Sequence, residues 1–166
     1  EETTGKDDTF EGRISVKSKE HVVLRGDAGV AVLLVSWSPD DTLVLSCLSN
    51  HSIQLWCSLR GVCLRTFRKH TAEVTCVAFL PRASIFLSGS VDKNVVLWRS
   101  DSATPVQTMQ GCRVSDLVVN STGNWALIAG FDRCVHKYDI GKSSMARMID
   151  VEGPIQSMVL TRDDRH

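Results

Sequence analysis

His70, Ser88 and Asp92 stand within 23 residues of one another, with Trp98 six residues beyond the aspartate. A histidine, a serine and an aspartate are the parts of a hydrolytic triad: a hydroxyl nucleophile, an imidazole that takes its proton and a carboxylate that orients the imidazole. Such a site also needs an exposed hydroxyl, donors for an oxyanion and a cleft. The stretch around the serine, "SGSVDKNVVLW", signals none of these, because its glycine follows Ser88 in a Ser-Gly-Ser triplet and does not form a G-x-S-x-G elbow. The sequence therefore offers no hydrolase, and the meaning of the spacing rests with the elements that hold these residues.

Those elements repeat. "SIQLW" ends at Trp56, "NVVLW" at Trp98 and "CVHKY" at Tyr138, so an aromatic closes the same run about every forty residues. Upstream, "LVSWSPDD", "CVAFLPRA", "DLVVNSTG" and "SMVLTRDD" place Trp37, Phe79, Val119 and Leu160 in register. A polar residue precedes each closing aromatic by six positions: Asn50, Asp92 and Asp132. After each aromatic comes a short, more polar alternating run, as expected of a strand near solvent. Each unit reads as four short antiparallel strands, and a period of about 40 residues is the signature of a propeller or solenoid. No window sustains an apolar period of 3.6, so the fold class is all-β.

Composition narrows the function classes. The chain has 166 residues, 43% hydrophobic and 23% charged, with 19 basic against 19 acidic side chains. That balance gives no global pull towards nucleic acid or an anionic membrane surface. The longest apolar run, Val30 to Val35, is far short of the roughly 20 residues of a membrane-spanning helix. The first ten residues show no secretory signal pattern and no initiator Met, which reads as a fragment or a processed product. Six cysteines, Cys47, Cys57, Cys63, Cys76, Cys112 and Cys134, lack any C-x-x-C spacing and read as buried free thiols of a reducing compartment, with no metal and no cofactor expected.

The segment "HTAEVTCVAFLPRASIFLSGSVDKNVVLW" resembles a WD40 repeat, with Lys69 where the usual glycine precedes the histidine and Arg99 where the usual aspartate follows the tryptophan. The resemblance implies a WD40 β-propeller of about three complete four-stranded blades plus edge strands. The expected blades cover about 26–67, 70–110 and 112–151, with the outer strand of a preceding blade at 21–25 and the first strand of a further one at 154–161. Residues 1–20, charged and poor in hydrophobics, read as a flexible or remnant segment before repeats that span 21–166. A seven-bladed ring would need roughly 280 residues at about 40 per blade. An arc of this length is thus expected to leave apolar blade faces open and to associate with itself or another chain through them.

In WD40 repeats the same four residue types form a buried hydrogen-bond relay, which the resemblance maps to Trp98, Ser88, His70 and Asp92. The first repeat keeps Ser46 and Trp56 but has Asn50 and no histidine; the third keeps Asp132 but has Ile128 and Tyr138. Only the middle blade carries the full set. Basic residues recur near the loops between blades, at Arg25, Lys69, Lys93, Arg113 and Arg133, and are candidates for a partner-binding rim. Other motifs have plain readings: Arg25-Gly26-Asp27 falls at a repeat loop, Asp40-Asp41 belongs to a Ser-Pro-Asp-Asp turn, and the sequons at Asn50 and Asn120 fall at turns.

"VSWSPDDTLVLSC", "GVCLRTF" and "MQGCRVSDLVVNSTGNWALIAGFDRCVHKYD" are similar to the WD-repeat subunits of CTLH/GID ubiquitin ligases, with the ending "GPIQSMVLTRDDR" resembling their following blade. This resemblance implies a non-catalytic subunit that recruits or organises substrates for ubiquitin transfer by RING partners, in the cytoplasm and with the nucleus as a second compartment. The LisH and CTLH helical segments of that family do not occur in these residues. No W-D-x-R tetrapeptide follows a closing aromatic, which disfavours a cullin-4 adaptor. The alternative is a general WD40 scaffold unrelated to ubiquitin.

Overall fold

The structure is a computed structural model and describes residues 23–24 and 28–161. The expectations for 1–20, for the strand at 21–25 and for Arg25 therefore fall on residues outside the described ones. Twelve strands and no helix run through the described chain. They are β1 (Val32–Trp37), β2 (Leu43–Leu48), β3 (Ile53–Cys57), β4 (Val62–Phe67), β5 (Val74–Phe79), β6 (Ile85–Ser90), β7 (Asn94–Arg99), β8 (Pro105–Gln110), β9 (Val114–Val119), β10 (Trp125–Gly130), β11 (Cys134–Asp139) and β12 (Ser144–Asp150). They pair consecutively into three four-stranded antiparallel sheets, β1–β4, β5–β8 and β9–β12, which do not close into a ring.

Burial follows strand rank within each sheet. The second strand of each sheet is the most buried, and "LVLSCL", "IFLSGS" and "WALIAG" are near-continuous buried runs. The last strands β4, β8 and β12 are mostly exposed. One cluster, with Leu45, Leu55, Phe67, Phe86 and Trp98, joins the first sheet to the second; another, with Leu87, Val114, Ile128 and Tyr138, joins the second to the third. Phe67 at the end of β4 meets Phe86 and Trp98 edge-on at 4.9 and 5.2 Å, so the outer strand of one sheet reaches the core of the next.

Gly89 marks a close approach between strands. A Cβ on Gly89 would lie 2.6 Å from Val114 Cγ1 and 2.7 Å from Cys76 Sγ, so β9 presses on β6 where a side chain would otherwise be. Thr75 adds a polar link at the same place, its hydroxyl donating to the Val114 carbonyl at 2.9 Å. The strand β1 lacks such cover: Val32, Val35 and Trp37 are 54, 59 and 58% exposed. Residues 154–161 form no strand, but the backbone N–H of Met158 donates to Asp116 Oδ2 on β9 at 2.6 Å.

Candidate functional site

The turns between the second and third strands of each sheet share one design. Asn50, Asp92 and Asp132 each accept, through Oδ1, the backbone N–H two residues on: Ser52 at 3.1 Å, Asn94 at 2.9 Å and Cys134 at 3.3 Å. This Asx turn lets the next residue take a left-handed backbone, seen at His51, Lys93 and Arg133 with φ of 68°, 70° and 63°. The turn occupies one carboxylate oxygen and leaves Oδ2 of each aspartate for other work.

In the second sheet Asp92 Oδ2 accepts from the Thr71 N–H at 3.0 Å and faces His70 Nδ1 at 2.9 Å. The other imidazole nitrogen, Nε2, stands 2.7 Å from Ser88 Oγ, to which the Trp98 indole N–H donates at 2.8 Å. With Trp98 donating to the hydroxyl, Ser88 donates its own proton to Nε2, and Nδ1–H donates to Asp92. The order is indole, hydroxyl, imidazole, carboxylate, and each member is satisfied. The His70 and Asp92 side chains are 1% and 3% exposed, and Ser88 and Trp98 are fully buried. Ser90 completes the turn by donating to the Glu73 carbonyl at 2.7 Å and accepting from the Asp92 N–H at 3.1 Å.

Electrostatics fix the neutral imidazole. Burial lowers the His70 pKa, and Lys69 adds to the lowering, against the pull of Asp92. Burial raises the Asp92 carboxyl, yet the hydrogen bonds from Thr71, His70 and Asn94 carry it below the usual range. A serine buried to zero exposure and already accepting from an indole has neither the access nor the free geometry of a nucleophile.

The other sheets keep fragments of this arrangement. In the first, the Trp56 indole donates to Ser46 Oγ at 2.9 Å and the chain stops there. In the third, Ile128 replaces the serine and Tyr138 reaches Gln107 of β8 at 3.3 Å, across the junction of sheets. There the spare oxygen of Asp132 faces His136 Nε2 at 3.0 Å, a histidine on β11 and not in the preceding loop.

The rim candidates divide. Lys93 and Arg113 line one cavity of about 620 Å³ between the second and third sheets, together with Cys112, Phe131, Asp132 and His136. Arg113 lies over the exposed Phe131 ring, 5.1 Å from its centre. Lys69 is exposed beside His70, and Arg133 is exposed in the β10–β11 turn. The free thiols also divide: Cys47, Cys76 and Cys134 are buried, whereas Cys57 and Cys112 are half-buried and Cys63 is exposed, which corrects the reading of all six as buried. Burial pushes Cys47 and Cys76 up to about 12, and burial with the Asp132 charge pushes Cys112 up to about 11.

Sequence reasoning missed the approach of Cys112, Asp132 and His136, whose donor atoms lie within 4.8 Å of one another. The Asp-x-x-x-His spacing was visible, but a cysteine twenty residues earlier carried no spacing signal. Of the two sequons, Asn120 is buried and spends its amide on Thr122, Asn124 and Trp125 within its turn.

The WD domain, G-beta repeat family matches residues 18–57, 61–99 and 103–139. Each matched span ends within a residue of the end of β3, β7 or β11, so the sequence repeat is offset from the sheet by one strand. The chain is 26% identical over 138 residues to "WD repeat-containing protein 26 homolog" of Arabidopsis thaliana, covering 81% of this chain and 23% of that protein. It is 28% identical over 141 residues to "WD repeat-containing protein WDS homolog" of the same plant, covering 81% and 27%. It is also 24% identical over 131 residues to "Target of rapamycin complex subunit wat1" of Schizosaccharomyces pombe, covering 76% and 41%. The chain thus spans about a quarter of the length of the first two relatives.

Proposed function

The chain belongs to the WD domain, G-beta repeat family, and from that membership we propose that it acts as a non-catalytic protein–protein interaction scaffold. The observation that carries this reading is the use of the triad-like residues His70, Ser88 and Asp92 as a closed hydrogen-bond relay inside the second sheet, beside a cavity whose rim carries Lys93, Arg113 and exposed Phe131. Cation and aromatic side chains at a cavity mouth suit an acidic or polar peptide, since arginine and aromatic residues dominate binding hot spots. Lys69 and Arg133 extend the candidate rim.

The finer reading is a substrate-recruiting or organising subunit of a CTLH/GID-type ubiquitin ligase that feeds proteasomal degradation, in the cytoplasm or nucleus. It rests on the likeness of the third-sheet sequence to that subunit family and is compatible with relatives whose names are WD repeat proteins. The exposed β1 face, with Val32, Val35 and Trp37, supports association with another blade, supplied by a partner or by a second copy.

Tagged chain expressed in cells and recovered with its bound proteins tests this reading. CTLH-domain and RING proteins, enriched over an unrelated WD protein, support it. Reproducible partners with neither domain leave the general scaffold and remove the ligase assignment.

A further inference from the structure

We propose that Cys112, Asp132 and His136 bind a zinc ion at the mouth of the cavity between the second and third sheets. The three side chains each bring one donor atom, and those atoms lie within 4.8 Å of one another. Tetrahedral zinc, with bonds of about 2.3 Å to sulfur and about 2.0 Å to nitrogen and oxygen, sets its donors roughly 3.3–3.6 Å apart. An approach on the order of 1 Å separates the observed spacing from a zinc shell, and one pair is already closer: His136 Nε2 stands 3.0 Å from Asp132 Oδ2. Zinc replaces the proton between them.

Three features of the backbone prepare the site. Asp132 is held by its Asx turn through Oδ1, which leaves Oδ2 facing His136. The register shift between third and fourth strands falls at Leu55/Trp56 and Leu97/Trp98 in the first two sheets, beside the closing tryptophan. In the third sheet it falls at Val135/His136, two residues earlier relative to the closing aromatic. Bulges re-aim side chains next to functional sites, and this one sits on the histidine itself. Gly130 completes the set, because a Cβ there would collide with the Asp132 carboxylate and lie 2.7 Å from Cys112 Sγ.

The donor set is confined to this sheet. At the equivalent positions the second sheet has Ala72, Asp92 and Val96, and the first has Asn50 and Gln54 for the last two. A thiolate, an imidazole and a carboxylate select a borderline-soft ion such as Zn²⁺ over Mg²⁺ or Ca²⁺, which prefer oxygen donors. Thiolate and carboxylate together neutralise its charge, and three protein ligands leave a fourth position towards the cavity of about 620 Å³. Lys93 and Arg113 also line that cavity, but Arg113 is engaged over Phe131.

Cobalt(II), a spectroscopic stand-in for zinc, tests the proposal on the full chain after chelator treatment. One equivalent of cobalt with thiolate-to-metal charge-transfer absorption and the intense visible bands of a tetrahedral ion, both displaced by zinc, is the expected result. Cys112→Ser removes the charge-transfer band, and Asp132→Asn or His136→Gln weakens binding by more than the ~10- to 100-fold that losing a supporting hydrogen bond costs at a metal site. Cys63→Ser, at an exposed thiol outside the cluster, leaves the spectrum unchanged. Wild-type chain without the thiolate band overturns the site whatever the variants do, as does a Cys112→Ser chain that keeps it.

Discussion

His70 Nε2 and Ser88 Oγ stand 2.7 Å apart, joining the loop before β5 to the middle of β6 across 18 residues of chain. The contact makes one serine hydroxyl serve both Trp98 and His70, so loop, strand and closing aromatic hold one another. Removing the imidazole leaves the buried Ser88 hydroxyl proton without its acceptor and takes one donor from Asp92 Oδ2, which keeps only the Thr71 N–H. We expect His70→Ala to destabilise the fold by about 1–3 kcal/mol, the cost of orphaned buried polar groups. Urea melts of wild type and variant check this; equal midpoints would sink the relay as a stabilising device.

Acid should weaken the same contact. Burial lowers the His70 pKa below its ordinary value of 6.5, so below that pH the unfolded chain takes up a proton that the folded chain refuses. Stability then falls as pH drops from 6.5 to the folded pKa. Asp92, also lowered, acts in the same direction further into acid, its stabilisation being lost as pH falls through its folded pKa. Thermal melts between about pH 7.5 and 5.5 should show a decline in wild type that is smaller in His70→Gln. An equal decline in both would remove His70 as its source.

Gly89 tests the packing between sheets. A methyl group there meets Val114 Cγ1 at 2.6 Å and Cys76 Sγ at 2.7 Å, atoms on two β-branched or buried side chains with little room to retreat. Gly89→Ala should cost about 1–3 kcal/mol by overpacking. Gly153→Ala, where nothing lies within 4 Å of the added methyl, is the matched control and should melt with wild type. A stable Gly89→Ala chain would mean that the third sheet does not press on the second as described.

The repeat was legible from the sequence because three physical needs recur at fixed spacing: an aromatic to close the third strand, an Asx residue to turn the chain before it, and apolar runs for the middle strands. Trp56, Trp98 and Tyr138 therefore located β3, β7 and β11 directly. Lys93 and Arg113 stood together among the rim candidates, but the gathering of Cys112 with Asp132 and His136 was not legible. It depends on the register between sheets and on a bulge at Val135/His136, and neither leaves a mark on residue type. Residues 154–161 repeat the pattern of an inner strand, but strand formation needs a neighbouring strand to complete its hydrogen bonds, and none pairs with them among the described residues.

Recognition at the cavity rim is the central claim, and reversing its charge addresses it most directly. Lys93 and Arg113 are exposed, so Lys93→Glu with Arg113→Glu should leave the melting midpoint close to wild type. Quantitative recovery of proteins bound to the tagged double variant, compared with wild type, is the measurement. Loss of the partners that wild type recovers, at unchanged stability, is the predicted result. The same partners at the same abundance would contradict it and move the binding face elsewhere on the fold.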